Sequence, residues 1–196
     1  MRKTGLKRLL FAAAEAAAWV MLLPGLLLWK TSLFRYMTFA TALSLVPGNP
    51  GMILRRVWYR GTLKSCGANL MVDFLGWIRT ADTRVGDNVY IGVGSYVGRA
   101  VLGNNIMISS RVTVMSGRRQ HRTDVPDTPM NQSGGGDTLV TVGDDVWIGT
   151  HAVVGADVAD HCVVGAGAVV VHPTEPWDVV AGVPAHRIKK RQQEGA

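Results

Sequence analysis

The 196-residue sequence is poor in cysteine and in aromatic residues, and its first third is almost without acid. Two cysteines, Cys66 and Cys162, are too few for a disulfide framework, which excludes the small disulfide-stabilised secreted domains. Aromatic residues make up 7% of the chain, which is little for a large conventional core. With 47% apolar and only 18% charged residues, the chain is not a disordered tail and has room for one medium domain with a small appendage.

Charge divides the chain near residues 65–75. Residues 1–72 hold ten basic residues and one acid, Glu15, for a net charge of +9. Residues 73–196 hold eleven basic and thirteen acidic residues, for a net charge of −2. The front is therefore basic and apolar, whereas the back is mildly acidic and rich in glycine, which predicts two units with different surroundings.

The front contains two apolar runs. The first, residues 9–29, is long enough to span a bilayer, but Pro24 and Gly25 interrupt it, so we expect a helix break there. The second, residues 26–46, ends at a Pro-Gly-Asn-Pro stop. Basic residues flank the pair on both sides and place both ends at the cytoplasmic face: Arg2, Lys3, Lys7, Arg8, Arg55, Arg56 and Arg60. Residues 1–50 are thus predicted to form a helical hairpin that dips into the membrane and returns.

Residues 51–66 are predicted to form a basic interfacial helix and linker. This segment offers arginines to anionic lipid headgroups and an aromatic pair to the membrane interface, namely Arg55, Arg56, Arg60, Trp58 and Tyr59. Two other interpretations of the front stay open. One is a cleavable signal peptide, against which Glu15 counts, and the other is a pair of helices packed on the folded domain or on a partner subunit.

The back half repeats with a period of six. An aliphatic residue, mostly followed by glycine, recurs at Val85, Ile91, Val97, Leu102, Ile108, Val114, Val142, Ile148, Val154, Val158, Val164 and Val170. Small or β-branched residues recur four places later at Val89, Ser95, Val112, Ala152, Cys162 and Ala168. A period of six corresponds to three two-residue alternations of a β-strand, to which a corner of the chain is added. The pattern therefore predicts a parallel β-solenoid whose interior is filled by the aliphatic residues.

These motifs resemble those of the hexapeptide-repeat acyltransferases, in the polysaccharide-biosynthesis branch related to serine, galactoside, maltose and xenobiotic acetyltransferases. The resemblance spans about residues 65–191 and rests on SGRRQH at 116–121, VGDDVWIG at 142–149, VVGAGAVV at 163–170 and VVAGVPAHRIKKR at 179–191. The segment 44–67 also resembles the entry region of membrane-associated members. The resemblance implies a mainly β fold: a left-handed parallel β-helix over residues 67–184, followed by a basic tail or short helix over 185–196. It also implies a homotrimer with sites at the subunit interfaces.

The one long interruption of the repeat, residues 116–139, is a polar loop that contains His121. Loops on rigid scaffolds are where sites are built, and histidine can take the proton of an attacking hydroxyl or amine near neutral pH. The resemblance implies that His121 is this general base. Asp124 or Asp127 would either orient the imidazole or only shape the turn. Three loop arginines would either attract an anionic substrate or be solvated: Arg118, Arg119 and Arg122.

The resemblance also implies a site for the acyl donor, acetyl-CoA, in the second half of the repeat. Trp147 would line the groove for the pantetheine arm, or would instead be a corner aromatic packed on a neighbouring coil. Thr150 and the amide of Ala166 would hydrogen-bond the donor, one of them at the oxyanion. The family often has Thr where Val171 stands, which would remove one donor contact. The tail offers cations to the coenzyme phosphates, or is an ordinary basic tail: Arg187, Lys189, Lys190 and Arg191.

These features predict a membrane-associated enzyme at the cytoplasmic face of the cell membrane. It would transfer an acetyl group from acetyl-CoA to a sugar hydroxyl, in a membrane-linked polysaccharide or glycolipid precursor. No metal and no nucleic acid are expected as partners. Alternatives are a sugar N-acetyltransferase, a catalytically silent solenoid scaffold, and a zinc lyase like the carbonic anhydrases built on this solenoid. For the lyase, the candidate ligands are His151, His161, His172 and His186.

Overall fold

The computed structural model describes residues 5–117 and 120–191, except for the side chains of residues 6–8. The predicted flanking cations Arg2 and Lys3 and the loop arginines Arg118 and Arg119 lie outside the described residues, as do the side chains of Lys7 and Arg8. Three helices come first: α1 (Gly5–Lys30), α2 (Tyr36–Ser44) and α3 (Gly48–Thr62). A solenoid of short strands follows.

The strands form three sheets, which are the three faces of a triangular coil. The first face holds β1 (Ser65–Cys66), β4 (Arg84–Val85), β7 (Ala100–Leu102) and β10 (Val140–Val142). The second holds β2 (Met71–Val72), β5 (Tyr90–Ile91), β8 (Met107–Ile108), β11 (Trp147–Ile148), β13 (Val163–Val164) and β15 (Asp178–Ala181). The third holds β3 (Trp77–Ile78), β6 (Tyr96–Val97), β9 (Thr113–Val114), β12 (Val153–Val154) and β14 (Val169–Val170).

The six-residue period has the predicted structural meaning. All twelve predicted interior aliphatic residues between Val85 and Val170 are buried, and so are the small residues four places after them. Successive coils pair in parallel and in register, as Ile91 does with Ile108 and Ile148 with Val164. The predicted fold class is confirmed: a left-handed parallel β-helix with an N-terminal helical unit. The C-terminal segment, expected to be a basic tail or short helix, instead contains a strand: His186–Lys190 form β16, antiparallel to β15.

The expected break at Pro24 and Gly25 is wrong, because α1 continues through both residues. Pro24 lies on an exposed part of α1. Gly25 allows a close approach between helices, since a Cβ there would lie 2.9 Å from Cε1 of Phe39 in α2. The chain instead turns at residues 31–35, so the hairpin has one long arm and one short arm.

The predicted interfacial helix is α3, which begins at Gly48 and packs against α1, α2 and the first coil. The assignment of Arg55, Trp58 and Tyr59 to the membrane interface is wrong, because all three are fully buried. Arg55 donates hydrogen bonds to backbone carbonyls of Leu43, Val46 and Val72. These contacts make α3 the layer that joins the hairpin to the β-helix.

The outer surface of the hairpin is apolar. α1 contains the one stretch among the described residues, Leu9–Lys30, that is long and apolar enough to cross a membrane by length and composition. Large apolar side chains are exposed along the hairpin at Leu9, Leu10, Trp19, Val20, Met21, Leu23, Leu27, Leu33, Phe34 and Met37.

One corner of the coil, between the first and second faces, has a repeated backbone conformation. One residue per coil there has a positive φ of 52–70°: Asn69, Asn88, Asn105, Asp145, His161 and Trp177. Asparagine and aspartate tolerate this conformation best, and the three asparagines form a ladder of side-chain hydrogen bonds of 3.0 Å. Histidine and tryptophan continue the corner near the C-terminal end.

Candidate active site

The loop that carries His121 leaves the solenoid after β9 and returns at β10. Its base is closed by a hydrogen bond from the Thr138 amide to the Ser116 carbonyl of 2.9 Å, and farther out the Arg122 amide donates to the Gly134 carbonyl at 3.1 Å. His121 is exposed beside an open hollow of about 350 Å³. Its imidazole makes no hydrogen bond within residues 5–117 and 120–191. In the neutral imidazole, the unprotonated ring nitrogen can therefore accept a proton without giving up a contact to a described residue.

Gly135 fixes the backbone that carries His121, a role that sequence reasoning missed. Gly135 has a φ of +121°, which L side chains rarely adopt. A Cβ at this position would lie 2.8 Å from Cα of His121 and would also collide with the Gln120 carbonyl. The run of three glycines in the loop was the available signal.

The loop aspartates do not orient His121 in this chain. Asp124 accepts two hydrogen bonds from the Arg122 guanidinium, of 2.9 and 3.0 Å, and this contact lowers the pKa of the Asp124 carboxyl. Arg122 in turn is committed to that ion pair. Asp127 is exposed and makes no ion pair within the described part of the chain. Both carboxyls therefore act as turn residues here.

The returning end of the loop is tied to the coils nearest the helices. Arg79, which follows β3 of the first coil, pairs with Asp137 at 3.2 Å. Arg99, which follows β6 of the second coil, donates to the Asp137 carbonyl at 3.2 Å. Because the loop leaves from the third coil, these contacts draw it toward the end of the solenoid that bears α3. Sequence reasoning had no signal for them, since the partners lie 38 and 58 residues apart.

A groove of about 600 Å³ runs along the second face. Its floor is a column of outward side chains in register on successive strands: Met107, Trp147, Val163 and Val179. Trp147 is 50% exposed, and its indole nitrogen donates to the Ser109 hydroxyl at 3.2 Å. Lys189 and Arg191 line the same groove. The structure therefore brings together two of the predicted donor-binding residues, Trp147 and Lys189, beside an exposed aromatic surface.

Thr150 and Ala166 lie at one corner, between the second and third faces, in adjacent coils. The Thr150 carbonyl accepts from the Gly167 amide at 2.8 Å, and the Thr150 hydroxyl donates to the Ser110 carbonyl at 2.7 Å. The Thr150 hydroxyl can therefore serve a ligand only as an acceptor. The Ala166 amide makes no hydrogen bond to any described residue, and the residue is exposed. Of the two predicted contacts, Ala166 is the available donor for a developing negative charge.

Two of the tail cations, Arg187 and Lys190, do not line this groove. Arg187 and Lys190 both pair with Glu175, each at 3.1 Å, and Lys190 also lies 2.9 Å from the nearly buried Asp178 carboxyl. These ion pairs raise the pKa of Lys190. The pairs anchor β16 to the last coil. Lys189 and Arg191 are the predicted tail cations that line the groove, and Arg191 is paired there with Asp145.

A stacked pair of rings stands beside the groove, and sequence reasoning missed it. The rings of His161 and Trp177 are parallel to within 17°, with centroids 4.0 Å apart. Asp145 accepts hydrogen bonds from His161 Nδ1 at 3.1 Å and from Arg191 at 2.8 Å, and these contacts lower the pKa of the Asp145 carboxyl. The cluster holds the end of the tail against the wall of the groove.

The histidines considered for a zinc site do not converge. No three His, Cys, Asp or Glu side chains form a candidate metal site in the part of the chain that the structure describes. His151 is an exposed corner residue with a φ of 60°, and His161 is engaged with Asp145 and Trp177. His172 and His186 line a separate hollow at the C-terminal end of the solenoid.

The His121 loop and the predicted donor contacts occupy different parts of the solenoid. The loop emerges at the corner between the third and first faces, whereas Thr150 and Ala166 occupy the corner between the second and third faces. A single chain therefore carries the two halves of the predicted site on separate corners.

Comparison with known proteins identifies the repeat. The model of the hexapeptide repeat of succinyl-transferase matches residues 82–114 and 139–171. A chloramphenicol acetyltransferase of Agrobacterium fabrum is 35% identical over 111 residues, which are 47% of this chain and 52% of the relative. The galactoside O-acetyltransferase of Escherichia coli is 30% identical over 117 residues, which are 54% of this chain and 55% of the relative. The chain thus spans about half the length of these curated relatives.

A solved structure of a galactoside acetyltransferase in complex with coenzyme A has the same fold. Its TM-score is 0.59 at 22% identity, and the match covers 81% of this chain and 80% of the other. The matched repeats and the shared fold identify the solenoid of this chain as a hexapeptide-repeat β-helix, which is similar in sequence to acetyltransferases.

Proposed function

We propose that this protein transfers an acetyl group from acetyl-CoA to a hydroxyl group of a sugar. The observation that carries the proposal is the groove of Trp147 and Lys189 on the second face. Val163 on its floor belongs to β13, and Ala166, whose amide has no partner among the described residues, follows β13 at the next corner. An exposed indole, a cation and a free amide suit the pantetheine arm, a phosphate and a thioester oxygen respectively. The two curated relatives named above are acetyltransferases, and one of them acts on a galactoside.

In the proposed reaction His121 acts as the general base. Its neutral imidazole takes the proton of the acceptor hydroxyl as the oxygen attacks the thioester carbonyl. The Ala166 amide donates to the oxyanion of the tetrahedral intermediate. The intermediate collapses to the acetyl ester, and the coenzyme leaves as a thiol after receiving the proton from the imidazolium. No acyl-enzyme forms, because transfer is direct.

The separation of His121 from the donor corner supports assembly of the site from two copies of the chain. The loop of one subunit would face the groove of its neighbour. The loop and the donor contacts lie at different corners of a triangular cross-section. In a closed ring of three subunits, each subunit can therefore place its loop against the donor corner of its neighbour, and the three sites are equivalent. We propose a homotrimer with three interfacial sites.

The hairpin supports attachment to the cytoplasmic face of the cell membrane. α1 exposes large apolar side chains along much of its length, a feature typical of interaction sites, and the basic character of residues 1–72 favours the cytoplasmic side. Arg79 and Asp137 draw the His121 loop toward the helical end of the solenoid. The loop would therefore lie toward the membrane, where the saccharide of a lipid-linked acceptor is held by its lipid. We propose a lipid-linked polysaccharide or glycolipid precursor as acceptor.

The acceptor is tested by incubating the detergent-purified chain with acetyl-CoA and either lipid-linked saccharides or soluble nucleotide sugars, while the free coenzyme thiol is measured. The proposal expects thiol release with the lipid-linked fraction and an acetyl group that mild alkali removes, as it does from an ester. An alkali-stable product would show an amide and would favour the N-acetyltransferase alternative. Thiol release with soluble sugars alone would contradict the lipid-linked acceptor.

A further inference from the structure

An apolar groove lies between α1 and α3 on the outside of the helical unit. It has a volume of about 300 Å³ and is lined by Ala14, Ala17, Ala18, Met21, Asn49, Pro50, Ile53 and Leu54. The α1 wall is built mainly of alanines, so the two helix backbones leave a channel that no side chain of the described residues fills. Asn49 is the one polar side chain in the lining.

The channel opens onto the exposed apolar face of α1. Met21, in its wall, is 66% exposed, and Val20 and Leu23 continue the same surface at 76% and 53% exposure. If α1 lies in the membrane, as the proposed function holds, then the channel opens to the hydrocarbon of the bilayer rather than to water. Hydrocarbon chains of lipids are therefore the molecules that can reach it.

Two arginines follow the channel-lining residues along α3, although neither lines the channel itself. Arg56 donates through Nε to the Leu70 carbonyl at 2.7 Å and through one terminal nitrogen to Glu15, which leaves its other terminal nitrogen without a partner among the described residues. Arg56 is three residues from Ile53, so both lie on the same side of α3. Glu15, next to Ala14 in α1, accepts from Arg56 at 2.8 Å and from Arg60 at 3.3 Å. One carboxylate facing two guanidinium groups leaves a net positive charge. Arg60 donates only to Glu15 among the described residues, and the side chains of Arg56 and Arg60 are 14% and 32% exposed.

We propose that this channel binds a phosphate-bearing membrane lipid, with one hydrocarbon chain between α1 and α3 and the phosphate against Arg56 and Arg60. The alanine-lined channel is apolar and open, as a lipid hydrocarbon chain requires, and the excess guanidinium charge attracts an anionic headgroup. The buried Arg55 takes no part, because its guanidinium bonds to backbone carbonyls of the protein. The inference uses the membrane position of α1 from the proposed function and does not depend on acetyl transfer.

The test measures lipid retained by the full-length protein in a neutral detergent, by native mass spectrometry. The probes are dioleoyl phosphatidic acid, dioleoyl phosphatidylcholine and inorganic phosphate. Ala17→Phe fills the channel from an exposed position, and Ala16→Phe adds the same side chain at the neighbouring exposed position, which does not line the channel. Arg60→Gln removes one headgroup contact at a partly exposed site and serves as a second variant if Ala17→Phe fails to fold.

The inference expects wild-type protein and Ala16→Phe to retain phosphatidic acid several-fold more than phosphatidylcholine. Ala17→Phe should lose most of that retention, and Arg60→Gln should lose roughly fivefold. Equal retention by Ala17→Phe and Ala16→Phe would overturn the inference, as would equal retention of the two lipids. Inorganic phosphate that binds as well as the lipid would show a simple anion site instead. Co-sedimentation with neutral vesicles tests membrane attachment separately. A failure of the proposed membrane attachment can therefore be told apart from a failure of the lipid-binding inference.

Discussion

The Glu15 carboxylate lies 2.8 Å from the Arg56 guanidinium, 41 residues away. Glu15 is the only acid in the first 72 residues. It interrupts an apolar helix, and its position is explained by this contact and by a second contact with Arg60. The pair joins α1 to α3 and holds the hairpin on the β-helix.

Glu15→Gln is expected to loosen the helical unit. The change removes the charge from two hydrogen bonds and leaves two partly buried guanidinium groups without a counter-ion. We expect a loss of about 1–3 kcal/mol, or several degrees in Tm, measured by thermal unfolding in detergent. Arg122→Gln is the matched control, because its ion pair with Asp124 is largely exposed and its loss should leave Tm unchanged. A Glu15→Gln variant as stable as the wild type would show that the pair does not hold the hairpin.

Gly135→Ala is expected to reduce turnover without unfolding the β-helix. The added Cβ would meet the backbone of Gln120 and His121, so the imidazole must shift. A shift of this size should lower turnover about 10- to 100-fold while Tm changes little. Gly136→Ala is the control, because a Cβ at Gly136 has nothing within 4 Å. If both variants turn over at the wild-type rate, the position of the loop backbone does not matter for the reaction.

Lys189→Gln is expected to weaken binding of acetyl-CoA roughly tenfold, because a charge-assisted hydrogen bond to a phosphate is lost. Lys190→Gln should have a smaller effect, since Lys190 is already paired with Glu175 and Asp178. The affinity of both variants is measured by calorimetric titration with acetyl-CoA and with its analogue lacking the 3′-phosphate. The analogue should bind wild-type protein and Lys189→Gln equally. Lys190→Gln weakening binding more than Lys189→Gln would place the phosphate elsewhere.

Acid is expected to release the end of the tail through Asp145. Contacts with His161 and Arg191 lower the pKa of this carboxyl below its ordinary value of 3.8, so the folded state favours the charged form. The stabilisation is complete above that ordinary value and is lost as the pH falls through the lower, folded value. Unfolding by urea at several pH values should show a smaller loss between pH 5 and pH 2 for Asp145→Asn than for the wild type. Identical pH profiles would remove Asp145 from this role.

The β-helix could be predicted from sequence because its rule is local. Each coil must place an aliphatic residue such as Ile91 or Ile148 inside and a small residue such as Cys162 or Ala168 beside it, so the period is visible in one chain. The helical unit follows no such rule. Pro24 lies on the exposed side of α1, and Arg55 donates to carbonyls 9–17 residues away while one of its terminal nitrogens has no partner among the described residues, so neither outcome has a sequence signal.

The candidate site was predictable in part for the same reason. Trp147 and Ala166 fall at fixed places of the repeat, so their faces follow from the period. The partners of Asp137 and the stacking of Trp177 on His161 depend on contacts between coils and between loop and coil, which sequence spacing does not reveal.

The most direct test of the proposed mechanism is the turnover of His121→Ala with acetyl-CoA and acceptor, measured together with its binding of acetyl-CoA by calorimetry. The account predicts turnover about 10²- to 10⁴-fold below the wild type, the usual range for loss of a general base, with acetyl-CoA affinity unchanged. The binding should survive because His121 takes the proton of the acceptor and is not among the residues that line the donor groove. Wild-type turnover in the variant would contradict the account by removing His121 from the reaction.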